Sequence, residues 1–271
     1  MKHILRKSGQ SGFTIIELIV ALGIFLVICG AAFALLGSSQ KRFQSDSQLL
    51  NSFQEARLGM DQMVRDVNDA GFPPPSSFVT ANSANANFFA STPFAWSPGY
   101  ATSTPCAVSV GNNCTSPNEF DLIVETNITP HIPNSPVYWV RYQLDTSTNT
   151  LKRGAIPKVA GDDPVSDFNT ANNMVPYVQN VMNNASAAQI AQFQASYPKI
   201  FPAGNPVPIF TYTCDTSTGP RPCSVAANHT PQNIRSVSIT LIVMAALPDA
   251  QSGQVRLVEL NGLARRINPN Q

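Results

Sequence analysis

The chain is poor in charge. Only 12% of its 271 residues are Asp, Glu, Lys or Arg, and the formal net charge is +1. No strong field of either sign is available to gather nucleic acid, so no nucleic-acid contact is expected. Histidine is scarce too, and His3, His131 and His229 stand far apart. The familiar signatures of catalysis are missing: no Gly-x-Ser-x-Gly elbow, no Walker-type phosphate loop, no HExxH pair and no dinucleotide fingerprint. Neither an enzymatic activity nor a cofactor is expected. Glycine (15) is outnumbered by proline (22). With Asn, Ser and Thr abundant in the middle, this reads as an exported domain with long polar loops. The length leaves room for one large domain beside an anchor.

Cysteine is also sparse, and its placement is informative. Cys29 lies in an apolar run, whereas Cys106 with Cys114 and Cys214 with Cys223 form two close pairs in polar, proline-containing segments. Such pairs suit disulfides in an oxidising compartment. Zinc is the rival reading, but it favours tighter CxxC-like spacing or clustered histidines. No metal site is expected. Asp162, Asp163 and Asp167 invite comparison with a calcium loop, yet they lack the DxDxDG order and the distal glutamate. They read as a solvated loop, and His131 and His229 as surface residues. The Asn228-His229-Thr230 sequon is of a kind expected by chance in so Asn-rich a chain. A carbohydrate platform is one reading of Trp96 and Trp139, but such aromatics more often fill a core or cover a strand, and for Trp139, in a strand-like run, core is preferred.

The strongest signal is at the N-terminus. Residues 1–12 contain Lys2, Arg6 and Lys7 and no acid, and Phe13 to Leu36 contains one charge, Glu17. As a helix this run spans roughly 36 Å, beyond the ~30 Å of a bilayer core. The positive flank would hold the leader in the cytoplasm and send the rest across. A carboxylate costs about 2.5–3.5 kcal/mol at the centre of a membrane helix, and less near an end. No Lys, Arg or His lies between Phe13 and Leu36, so a partner for Glu17 must come from elsewhere. Two plainer readings exist. Ala32-Phe33-Ala34 is an A-x-A site of the signal-peptide kind, but this apolar run exceeds the ~7–15 residues of a usual signal core. A simple anchor explains the hydrophobicity but not the order of residues at its start.

That order, Gly12-Phe13-Thr14-Ile15-Ile16-Glu17-Leu18, resembles the prepilin processing motif of type IV pilins and type II secretion pseudopilins. The resemblance implies cleavage between Gly12 and Phe13 by a membrane prepilin peptidase, which also N-methylates the new terminus at Phe13. Glu17 becomes the fifth mature residue, where that family keeps a glutamate. The amine of a neighbouring subunit is then its plausible partner, and pairing would set axial register because an unpaired buried charge is penalised.

Past Gly37 the chain turns polar, but Phe43, Leu50, Phe53, Leu58, Met60, Met63, Val64, Val67 and Ala70 largely keep helical spacing. Asp61 and Arg65 are placed for an i, i+4 pair. Gly71 and Pro73 to Pro75 end the pattern. One helix from Phe13 to about Ala70 would be roughly 87 Å long. A coiled coil is the alternative, but the stripe ends after about four heptads. The segment Arg57 to Phe72 is similar to the helix end of PilW-type minor pilins and of J-type pseudopilins, with Ala70-Gly71-Phe72 closer to the former.

The expected organisation is a leader at 1–12, a membrane or filament-core helix at 13–36, its amphipathic continuation at 37–72, and a β-rich domain at 73–271. Residues 73–118 and 155–205 read as irregular, with a short helix near Ala185 to Gln194. Strands are expected at Phe120–Glu125, Val137–Leu144, Thr150–Arg153, Pro208–Tyr212, Ile234–Met244 and Gln254–Leu260. The fold class is α+β, a long N-terminal helix laid on an antiparallel sheet in a pilin-like arrangement. The resemblance implies a minor pilin at an inner membrane, with its C-terminal domain in the periplasm. Its partners would be the peptidase, other major and minor pilins, and the assembly platform. The alternatives are a J-type pseudopilin and a pilin-anchored adhesin.

Overall fold

The computed structural model describes residues 12–78, 83–100, 105–108, 113–132, 134–225, 229–249 and 252–267. The leader at 1–11 with Lys2, His3, Arg6 and Lys7, Asn228 of the sequon, and parts of the first irregular stretch lie outside them.

A single helix, α1 (Ile15–Asn68), forms the spine of the molecule. It begins two residues later than expected because Thr14 takes the capping position, and Asp69 closes it. Ser45, Ala56, Gly59, Met60, Met63, Asp66 and Val67 are its buried residues, and from Ala56 onward they recur every three to four residues along one face. Phe43, Leu50 and Leu58 are exposed instead. They lie on the opposite face of the helix, at positions the apolar count alone does not separate.

Among the described residues the rest comprises eight strands, two short α-helices and three single-turn 3₁₀ helices. The strands are β1 (Asp121–Thr126), β2 (Tyr138–Asp145), β3 (Thr150–Pro157), β4 (Val175–Val178), β5 (Phe210–Thr216), β6 (Gly219–Pro222), β7 (Ile234–Met244) and β8 (Leu257–Arg265). The α-helices are α2 (Pro164–Ala171) and α3 (Ala187–Ser196). Two four-stranded antiparallel sheets form where one was expected, ordered β1-β2-β3-β4 and β6-β5-β7-β8. An isolated bridge joins Val181, three residues past β4, to Val243 of β7. The arrangement is α+β, with the C-terminal half of α1 lying against β8, β7 and β4. Two glycines permit this approach. A Cβ on Gly262 of β8 would lie 2.6 Å from Met60 Sδ, and one on Gly59 of α1 would lie 2.5 Å from Val178 Cγ2. Both distances are too short for carbon, so a side chain at either position would displace Met60 or Val178 or push the helix away.

The main core joins α1 to both sheets through residues such as Met63, Val67, Tyr142, Leu151, Ile239 and Leu241. A smaller cluster puts Ile190 and Phe193 of α3, with Phe201, against Ile242. A third gathers Ile123, Trp139, Ile156 and Phe168 under α2. The acidic segment read as a loop is the start of α2: the Asp163 side chain accepts from Val165 N–H and caps the helix, with Pro164 in its first turn.

Candidate functional site

The candidate site is built at the start of α1. Gly12, Phe13 and Thr14 precede the helix, and Phe13 is 90% exposed. Among the described residues, chain neighbours aside, nothing lies within 4 Å of a Cβ built at Gly12. Thr14 Oγ1 accepts from Glu17 N–H at 3.3 Å, while Glu17 Oε2 accepts from Thr14 N–H and from Thr14 O–H, both at 2.9 Å. This is a reciprocal capping box, and it satisfies donors that the first helical turn would otherwise leave bare. Glu17 Oε2 is thus used within the chain. The next cation along the helix is Lys41, 24 residues on and roughly 36 Å away. The glutamate's negative charge therefore has no ionic partner in its own helix.

Around it the helix is apolar and bare. Every large apolar side chain from Phe13 to Leu36 is exposed. Within Ile15–Asn68 lies a stretch long and apolar enough to cross a membrane, none of it buried inside the protein.

The disulfides are Cys106–Cys114 and Cys214–Cys223, with Cα atoms 5.2 and 4.9 Å apart. The second ties β5 to the end of β6. Cys29 is unpaired and half-buried on the helix. His131 is exposed, and His229, expected at the surface, is half-buried. Trp139 is fully buried and its indole N–H donates to Glu125 Oε1 at 3.2 Å. Tyr100 sits between it and Trp96, at centroid distances of 5.4 and 5.1 Å. Among the described residues no group of three or more His, Cys, Asp or Glu is placed to hold a metal ion.

Buried ionic networks were not foreseen. Asp66, on the packed face of α1, accepts from Tyr142 O–H at 2.6 Å, Arg153 at 2.9 Å and Gln62 at 2.7 Å. It thereby pins the helix end to β2 and β3. The expected Asp61–Arg65 pair does not form; both side chains are exposed, and the ion pair of this turn is Asp66–Arg153. Asp121 meets Arg141 at 2.6 Å and Glu125 meets Lys158 at 3.0 Å, all deeply buried. Burial pushes the Asp121 carboxyl up against the pull of Arg141, and burial, then Asp66, raises the Tyr142 hydroxyl. The available signal was Asp66 itself, an acid at a position the helical period assigns to the packed face.

A long helix with a bare apolar half and an acid without an ionic partner near its start, packed by its other half on an antiparallel domain, is a pilin-like arrangement. The family described as the prokaryotic N-terminal methylation motif matches residues 7–33 and supports a type IV pilin-like protein, a subunit of the pilin or pseudopilin type. The match covers the anchor and its processing site and says nothing of the β domain. No curated protein and no solved structure matches the chain.

Proposed function

We propose that the chain is a minor pilin, made as a prepilin, cleaved between Gly12 and Phe13, N-methylated at Phe13 and built into a type IV pilus. The observation behind this reading is the single carboxylate of Glu17 near the start of the otherwise uncharged, outward-facing stretch up to Leu36, four residues past the amine that cleavage would create. Glu17 Oε2 serves its own capping box. Among the described residues no hydrogen bond engages Oε1, the atom that would face a neighbour's amine. The outward stripe does not stop at the membrane: Phe43, Leu50 and Leu58 extend it along the face turned away from the domain, where neighbouring helices would pack. Residues 13–36 form the membrane or filament-core segment, 37–72 the continuation, and 73–271 the periplasmic domain.

The positive leader favours a single pass with the domain outside the cytoplasm, and the two disulfides suit that compartment. The peptidase, the other pilins and the assembly platform of the inner membrane are the partners. Long loops would crowd a repeating shaft, which favours a priming or tip position. The test is the mature terminus. Mass spectrometry of the protein purified from membranes should show a chain starting at methylated Phe13. A chain that keeps residues 1–12, or begins at Leu35 after the Ala-Phe-Ala site, contradicts the proposal. Deletion should abolish piliation; loss of enzyme secretion with normal pili would instead assign the chain to type II secretion.

A further inference from the structure

A cleft of about 210 Å³ opens beside the buried Glu125–Lys158 pair, lined by Ser91, Thr92, Trp96, Tyr100, Lys158 and Gln232, with Ala160 and Gly161 at its edge. Its charges are already spent. The Lys158 amine gives its three donors to Phe89 C=O, Ser91 Oγ and Glu125. Glu125 also accepts from Tyr100 O–H, Trp139 N–H and the backbone N–H groups of Ser91 and Thr92. The cleft therefore offers an entering anion no uncommitted cation, and an entering cation no uncommitted carboxylate.

What it does offer is neutral. The rings of Trp96 and Tyr100 stand edge to face at 5.1 Å. Trp96 is only 5% exposed, yet its indole N–H has no hydrogen-bond partner. A buried donor left bare is costly, and native proteins seldom keep one without a use. The Ser91 oxygen accepts from Lys158, which leaves its O–H free to donate outward. The Thr92 O–H donates to Phe94 C=O, which leaves its lone pairs free to accept. The Gln232 amide lies on the exposed rim.

We infer that this cleft binds one ring of a neutral sugar, its C–H face on Trp96 and Tyr100 and its hydroxyls meeting Ser91, Thr92, Gln232 and the Trp96 indole N–H. A sugar hydroxyl donates and accepts at once, which matches a wall holding both functions beside aromatic surface. The volume is below the ~300–1,000 Å³ of sites for drug-sized ligands, so the occupant is small. The inference is independent of the filament reading.

The test uses the full chain with 15N-labelled tryptophan in a detergent without a sugar headgroup, titrated with glucose, galactose, mannose and N-acetylglucosamine. At least one should shift the Trp96 indole resonance with a dissociation constant of about the millimolar range, leaving that of Trp139 in place. Inorganic phosphate should shift neither. Trp96→Phe should weaken binding about tenfold, and Gln232→Ala, at the exposed rim, by a smaller factor. The inference is overturned if no sugar moves the Trp96 signal, if phosphate moves it as strongly, or if both variants bind as the parent does.

Discussion

From Ile15 to Phe43 every large apolar side chain of α1 faces outward, whereas from Ala56 to Val67 the same helix buries Met60, Met63 and Val67 against two sheets and fixes Asp66 to Tyr142 and Arg153. Backbone hydrogen bonds are equally complete in both halves, so the helix persists through each. What differs is where the apolar surface finds its partner. The distal half finds it within the chain. The proximal half has none, and must be covered by lipid or by other helices. Substitutions in the distal half and the domain should therefore change the melting of the protein. Substitutions in the proximal half should leave melting alone and change what the protein assembles with.

The largest effect on melting should come from Lys158→Ala, which strands the fully buried Glu125 carboxylate. Breaking a buried pair from one side costs about 3–5 kcal/mol, or a fall of roughly 10 °C in Tm by calorimetry. Insertion into the membrane fraction should not change; a Tm within a degree of the parent would break the comparison. Next is the double change Cys214→Ala with Cys223→Ala. Releasing that short loop should cost about 2–3 kcal/mol, read as a lower urea midpoint at unchanged slope.

The smallest effect is a dependence on pH. The hydrogen bond from Lys152, then that from Ser147, holds the Asp145 carboxyl well below the usual carboxylate range. A folded-state pKa below the unfolded one gives stability that is full above about pH 4 and lost as pH falls below it. Urea midpoints of the parent and of Asp145→Asn should differ slightly at pH 7 and converge in acid. A gap that widens on acidification would contradict the sign.

Much of this organisation is legible in the residues. The uncharged run and the periodic stripe after it predict one helix, and Ile234–Met244 is read to its ends because its β-branched residues are bounded by Asn233 and Ala245. Other elements escape for physical reasons. β4 is Val-Pro-Tyr-Val and β6 is Gly-Pro-Arg-Pro, edge strands whose prolines read as loop. Missing β4 hides the division into two sheets. α2 is too short to show a period and buries only Pro164 and Phe168. β8 lies three residues past its expected start and five past its expected end. Asn261-Gly262 looks like a stop, but the glycine is needed where Met60 of α1 approaches. At the candidate site Gly12, Phe13 and Glu17 stand out by order and charge. The capping box between Thr14 and Glu17, and the polar networks behind Asp66 and Lys158, depend on contacts that spacing along the chain does not reveal.

The most direct test of the central claim is Glu17→Val in the full-length protein, followed through membranes and then through co-purification with the other pilins. The account predicts unchanged membrane level, the same mature start at Phe13 and an unchanged Tm. It also predicts recovery of partner pilins reduced about tenfold or more, because the amine of the neighbour loses its anion. Partner recovery equal to that of the parent would show that Glu17 does not make the contact between subunits.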